Sequence, residues 1–357
     1  MRLEIRNFKG IKEGSLTLGD LNILIGGNNS GKSTILESLF LIPNPFRTVF
    51  NKTAIEILAS LHSTLNSNSY IFLLHNYITD LASISYSDDS SFIKLQFQRS
   101  SEDRNYIEVY INENSNACYL GGLFTSNNQY YLADRLQEAQ LAKDGRFYRS
   151  SNLSSIFTKS FISTTIGNTI YFHPLLIKYI WQYFSDHWIE LGNMGLFNNI
   201  IKKISEWTDA SYDDLLLEPF TGGQLTILAR TKEGRRIRLG DLGNGFQVLI
   251  TLMLLYGYVK PKILLIDDIE SHMNPSLLIY TALWFADILN DGTKLVISTH
   301  SLEAVKHIAG SLEEYKPKIT LMKLKDGILS TKDLSIKDVE GLEEAGIDVR
   351  TASGILL

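Results

Sequence analysis

The stretch Gly26-Gly27-Asn28-Asn29-Ser30-Gly31-Lys32-Ser33-Thr34 combines spaced glycines with a lysine and two hydroxyls. It contains the phosphate-binding P-loop pattern, G-x-x-x-x-G-K-S. Glycines let a backbone wrap a polyphosphate so that successive N–H groups point inward. Lys32 would reach the β/γ-phosphates of ATP, and the Ser33 hydroxyl would ligate Mg²⁺. A helix beginning at Lys32 would turn the positive end of its dipole on the same anion.

Three further clusters suit the same chemistry. The apolar run Ile263-Leu264-Leu265-Ile266 ends in Asp267-Asp268, the Walker B pattern. Asp267 would hold Mg²⁺, and Asp268 would orient or deprotonate the attacking water. An acidic turn capping the next helix has the same residues; the P-loop upstream favours Walker B. His300 follows a second buried run, Lys294-Leu295-Val296-Ile297-Ser298. There it could hydrogen-bond a γ-phosphate and sense its loss, or serve structure alone. Gly243-Asn244-Gly245 opens a long apolar helix. A second phosphate-facing helix end makes most sense against nucleotide held by another subunit; the other reading is a tight hairpin-to-helix turn.

These residues need a scaffold. Leu21-Asn22-Ile23-Leu24-Ile25 reads as a buried strand before the P-loop, and 32–41 as the helix after it. Helices alternating with apolar strands imply a parallel sheet, whose ligands bind beyond the carboxyl ends of the strands. The P-loop, Asp267-Asp268 and His300 all follow strand ends. Two short strands precede the P-loop, and Arg6, Lys9 and Lys12 between them either touch nucleotide or are solvated. Within 46–210, residues 53–65 read as a helix, and 92–97 with 106–111 as a β-hairpin. Residues 112–128 read as mostly polar and partly loop, 132–142 as helix, 150–155 as a break and 169–172 as a strand. Further helices fall at 175–184 and 194–207. From 212 a second hairpin carries a charged tip, Glu233-Gly234-Arg235-Arg236-Ile237-Arg238, read as plain surface, though it could contact DNA. The expected fold is α/β: a P-loop NTPase with a parallel core sheet from 1–45 and 211–357, interrupted at 46–210 by an antiparallel β part and a helical lobe.

Bulk properties narrow the class. A net charge of −5 disfavours a globally basic nucleic-acid binder, though not a local patch. Apolar residues at 44% allow a sizeable core, and charged residues at 20% argue against disorder. Cys118 is the only cysteine, which rules out an intramolecular disulfide or a Cys metal cluster. The start, Met1-Arg2-Leu3-Glu4, lacks a signal peptide's apolar run, and 248–259 is too short to span a bilayer. A cytoplasmic location without a membrane partner is expected.

The order of motifs resembles ABC-type ATPases of the SMC/RecF/OLD group, most of all compact stand-alone AAA-type ATPases without a nuclease domain. The matching residues are Asn7-Phe8-Lys9-Gly10, 26–34, 239–247, 264–275 and 298–303. The resemblance implies a homodimer that sandwiches two ATP molecules, each P-loop facing the partner's Leu242-Gly243-Asn244-Gly245. The sequence departs from the family pattern in places. Gly243 stands where a signature serine is usual. Asp268 stands for the usual catalytic glutamate, one methylene shorter, which implies slow hydrolysis. Glu270 fits a structural or dimer-contact role, and no Q-loop is assignable, His173 being the nearest candidate. The stretch after His300 has no room for the TOPRIM nuclease of OLD proteins. DNA and a separate effector protein are the partners this resemblance suggests. A slow regulatory switch is the alternative to a DNA-related or mobile-element-defence enzyme, and a transporter ATPase a weaker third reading.

Overall fold

The computed structural model describes residues 1–63, 69–89, 91–114, 116–125, 129–141, 146–149, 166–207 and 211–350. The first strands are β1 (Arg2–Phe8), β2 (Ile11–Thr17), β3 (Leu21–Ile25), β4 (Thr48–Val49), β5 (Lys52–Thr53) and β6 (Leu81–Ser87). They are followed by β7 (Phe92–Arg99), β8 (Tyr106–Glu113), β9 (Asn116–Phe124), β10 (Tyr130–Leu141), β11 (Phe147–Arg149) and β12 (Thr169–Phe172). Next come β13 (Tyr212–Pro219), β14 (Leu225–Thr231), β15 (Arg236–Arg238), β16 (Ile263–Ile266), β17 (Lys294–Thr299), β18 (Lys318–Lys325) and β19 (Ile328–Leu334). The helices are α1 (Lys32–Leu41), α2 (Ala54–Leu61), α3 (Ile177–Asp186), α4 (Trp188–Asn193), α5 (Leu196–Trp207), α6 (Asn244–Val259), α7 (Pro275–Asn290), α8 (Leu302–Ser311) and α9 (Ile336–Glu344).

One sheet of 14 strands runs β11-β10-β9-β8-β7-β6-β1-β2-β19-β18-β3-β17-β16-β12. Its site-bearing part is parallel: β18, β3, β17, β16 and β12 point the same way. β3, β12 and β16 are buried at every position, which is why, Asn22 and Thr169 apart, they carry apolar residues throughout rather than alternating. Helix α1 packs on β12, β16 and β17, while α7 and α8 pack on β17. The strands from β6 to β11 extend the same sheet antiparallel from β1.

The stretch 46–210 is therefore continuous with the sheet at both ends. Its strand β12 pairs in parallel with β16, the strand before Asp267-Asp268, and so forms the edge of the core sheet. One local expectation is overturned and another is met only in part. Within 112–128, residues 116–124 form β9, in which Cys118 to Leu123 are buried, and turns at 114 and 125 flank it. Residues 130–141 form β10 instead of a helix, because the exposed backbone edge of β9 offers a ladder of hydrogen bonds. Tertiary pairing of that kind outweighs local helix preference. The expected break at 150–155 and the end of the expected helix at 142 lie outside the described residues.

Lys9 answers neither of its sequence readings. It sits at φ 53, and its ammonium pairs with Glu37 on α1, while Glu37 also meets His62 Nε2 at 2.8 Å. The Glu37 side chain is 2% exposed. Burial pushes its carboxyl upward, but Lys9 and His62 outweigh this and hold it below its ordinary 4.5. A depressed folded-state value stabilises the fold above the unfolded value and is lost as pH falls through the folded one. Lys9→Met is therefore expected to destabilise the chain by roughly 3 kcal/mol, since it strands a buried carboxylate. The double variant with Glu37→Gln should recover much of that loss in urea unfolding and lose less stability in acid than the wild type.

Candidate functional site

The P-loop leaves β3 and enters α1 through backbone that side chains rarely adopt. Gly26 has φ 153 and Gly31 has φ 93. A Cβ on Gly26 would lie 2.4 Å from the Met322 carbonyl oxygen, so glycine is required there by contact as well as by conformation. Gly31 caps α1, whose first turn carries no acidic residue to compete for an anion. Gly27, Asn28, Asn29 and Ser33 are exposed at the loop, while Ser30 and Lys32 are buried. The Lys32 ammonium donates to the Gly26 and Gly27 carbonyls, each at 3.1 Å. Burial lowers its pKa, and Asp268, Asp267 and Glu270 work against that fall.

The carboxylates close the other side. Asp267 directly follows β16 and is 1% exposed. Its Oδ2 accepts from Tyr171 Oη at 2.8 Å, and its Oδ1 accepts from Ser298 Oγ. Tyr171 lies on β12 and Ser298 on β17, so the neighbouring strands grip the carboxylate from both flanks. Burial and the charge of Asp267 push the Tyr171 hydroxyl well above its ordinary value, which keeps it a donor. Ser298 Oγ also accepts the Asp268 backbone N–H at 3.0 Å. Asp268 adopts φ 51, an uncommon conformation for a residue with a side chain. Its carboxyl is raised by burial first and then by Asp267 and Glu270, while His300 and His173 favour its charged form.

His300 bridges the two sides. Its Nδ1 lies 3.4 Å from Lys32 Nζ, and its Nε2 lies 3.7 Å from Asp268 Oδ1. An ammonium can only donate, so a hydrogen bond from Lys32 would use Nδ1 as its acceptor. Lys32, Asp268 and His300 thus meet at one point, at the carboxyl ends of three adjacent parallel strands. Sequence reasoning missed Tyr171 and Ser298. The only available signal was that each belongs to a strand flanking β16, and it needed the strand order.

Gly243, Asn244 and Gly245 do not join this cluster. They form the start of α6 and line a separate cavity of 590 Å³ with Trp207, His272 and Tyr280; none of residues 26–34 lines it. A Cβ on Gly245 would lie 2.4 Å from the His272 carbonyl oxygen, so glycine seats the α6 start against the loop after Asp268.

Hard oxygen donors suit Mg²⁺, and Ser33 and Asp267 provide them. Both Asp267 oxygens already accept one hydrogen bond, yet a carboxylate offers about four lone-pair sites, which leaves capacity for a cation. Among the described residues no group of three or more His, Cys, Asp or Glu could hold a metal ion. Mg²⁺ needs none, since it takes one or two protein oxygens together with phosphates and water.

Strand, glycine loop, helix and paired carboxylates after the parallel strand one place removed define a P-loop nucleoside triphosphatase. Residues 1–172 match the AAA ATPase domain family. With that match, this chain is an ATPase of the P-loop type. It is similar to an ATP/GTP phosphatase of Helicobacter pylori (strain ATCC 700392 / 26695), at 22% identity over 85% of this chain and 86% of that protein. Among solved structures it overlaps an SMC head domain from Thermotoga maritima with a TM-score of 0.48 and 13% identity, covering 94% of this chain and 98% of the other. An Smc head domain structure derived from Pyrococcus furiosus overlaps with a TM-score of 0.44 and 13% identity, covering 96% and 98%. These structural overlaps are too loose to assign a function. Among the described residues no helix is long and apolar enough to cross a membrane.

Ser298→Ala removes a donor to Asp267 and the acceptor for the Asp268 N–H together. Two such bonds are worth about 2 kcal/mol in unfolding free energy. The variant should also lose kcat for ATP hydrolysis by roughly 10-fold or more, because both carboxylates lose their fixed orientation. Steady-state kinetics beside a urea titration would read both effects.

Proposed function

We infer that two copies of the chain hydrolyse Mg²⁺-ATP between them, each P-loop facing the Gly243-Asn244-Gly245 turn of the other. The observation that carries this reading is the separation of two phosphate-ready helix starts. The P-loop start of α1 belongs to the Lys32–Asp268–His300 cluster, and the α6 start opens on a different cavity. One chain thus presents both halves of a site on different surfaces, and a second copy supplies the missing half of each.

Within the site, the P-loop amides and Lys32 would hold the β- and γ-phosphates. Ser33 and Asp267 would hold Mg²⁺, which supplies charge neutralisation on those phosphates. Asp268 would accept a proton from the attacking water as its oxygen bonds to the γ-phosphorus and the bond to ADP breaks. His300, which lies between Lys32 and Asp268, would contact the γ-phosphate and register its loss. Because the γ-phosphate is held from both subunits, hydrolysis would loosen the dimer.

A second reading has specific support: the chain is an ATP-dependent switch that hydrolyses slowly and controls a separate effector. Asp268 is one methylene short of glutamate and is held at φ 51 by Ser298, so its reach toward a water is fixed as well as short. A DNA-related role is supported by motif order, but the charged hairpin lends it little. Arg230 pairs with Asp213, Arg236 with Glu218 and Arg238 with Asp241, which neutralises much of that face.

Lys32→Ala should abolish ATP binding in calorimetry; undiminished affinity would remove the P-loop from the account. Asp268→Asn should bind ATP and accumulate as a dimer in sedimentation with saturating ATP and Mg²⁺, and a persistent monomer contradicts the sandwich. Asp268 works ionised and its pKa is raised, so the wild-type rate should rise with pH through a value above the ordinary 3.8 for aspartate. A profile already flat at the ordinary value would deny it the role of base. Turnover that is brisk without any partner would count against the switch.

A further inference from the structure

His300 is fixed by its backbone, and from two directions. Its N–H donates to Glu270 Oε1 at 2.6 Å, and its carbonyl accepts from Arg350 Nη1 at 2.7 Å. Glu270 comes from the Walker B loop, and its other oxygen, Oε2, is buried without a hydrogen-bond partner. That carboxylate is spent on the histidine loop. Arg350 comes from the far end of the described chain. Its guanidinium is set by a forked pairing with Asp348, Nε to Oδ1 at 2.9 Å and Nη2 to Oδ2 at 2.5 Å. A forked pair fixes the plane of the guanidinium and leaves Nη1 aimed at a single acceptor.

The route of the chain explains how Arg350 gets there. Helix α8 starts directly after His300, with Ser301 as its N-cap. Helix α9 lies along α8, tied by the ion pair of Lys306 with Glu343 at 2.8 Å. The chain then returns to the start of α8, anchored by Val349, which is fully buried. The segment from α9 to Arg350 is thus a strap laid over α8 that ends on the histidine.

We propose that Arg350 is a positioning residue for ATP hydrolysis: with Glu270 it clamps the backbone of His300, and so sets the imidazole between Lys32 and Asp268. The proposal deepens the functional reading above and rests on it for the role of His300. The clamp fixes both backbone polar groups of the residue whose ring lies 3.4 Å from Lys32 Nζ and 3.7 Å from Asp268 Oδ1. Release of the carbonyl by loss of Arg350 frees the loop to rotate while the N–H bond to Glu270 survives. Ground-state ATP affinity belongs to the P-loop and is left in place.

The test compares wild type, Arg350→Ala and Arg350→Lys in two measurements. In ATP hydrolysis, Arg350→Ala should lower kcat roughly 10- to 100-fold with KM little changed, as displacement of a catalytic group by about 1 Å does. Arg350→Lys, which keeps one donor within reach of the carbonyl, should recover part of the loss. In proton NMR, the imidazole resonance of His300, identified by its disappearance in His300→Gln, should move in Arg350→Ala and return toward its wild-type position in Arg350→Lys. An unchanged kcat with an unmoved resonance overturns the proposal. So does a loss shared equally between kcat and ATP affinity, which marks general damage to the fold. If the wild type itself fails to hydrolyse ATP, the functional reading falls. The resonance then decides the clamp alone: movement upholds it and constancy overturns it.

Discussion

Everything at the candidate site depends on one buried carboxylate. Asp267 is almost wholly withdrawn from water at the end of β16, where an ion costs several kcal/mol unless its oxygens are satisfied. Tyr171 and Ser298 satisfy them, and these residues come from β12 and β17, the strands on either side. The order β17-β16-β12 is therefore an electrostatic requirement as much as a packing one. The same Ser298 hydroxyl holds the Asp268 amide, so the conformation of the second carboxylate follows from the solvation of the first. Lys32 and His300 lie around this point, and the burial of Lys32 is offset by the Gly26 and Gly27 carbonyls and by the charges of Asp268, Asp267 and Glu270.

That arrangement explains why the chain can run its parallel core through distant segments. β3, β12, β16, β17 and β18 come from across the sequence, yet they run parallel, so the turns that follow β3, β16 and β17 fall at one edge of the sheet. The antiparallel wing grows from β1 on the other side and is joined to the core through β2 and β19. Glu37 does for α1 what Tyr171 does for Asp267. It is a buried charge on the phosphate-binding helix, satisfied by Lys9 from the turn after β1 and by His62 beyond α2. The helix that receives the phosphate is thereby fastened to the N-terminal strands and to 46–63 at once.

Local chemistry was legible in the sequence and long-range pairing was not. Glycine spacing, the apolar run before Asp267-Asp268 and the hydroxyl after Lys32 are short-range patterns with a direct physical meaning. The P-loop strand, its helix and the α6 start all fall where those patterns put them. Lys9 was misread because nothing local tells that its partner lies on α1. β10 was misread because its helical spacing lost to the open edge of β9. Tyr171, Ser298 and Arg350 carry no motif; each acts across a sheet or over a helix, and only the fold shows the contact.

The central claim is that a working site takes its halves from two chains, and complementation between two disabled chains tests it most directly. Lys32→Ala removes the phosphate-binding half. Gly243→Glu should disable the other half by setting a carboxylate against phosphate, and a Cβ at Gly243 meets nothing within 4 Å, so its own fold accepts the change. The account predicts that each variant alone hydrolyses no ATP, and that mixing them restores phosphate release through dimers carrying one intact composite site. A mixture as inactive as its components, or a Gly243→Glu chain that is fully active alone, would contradict it.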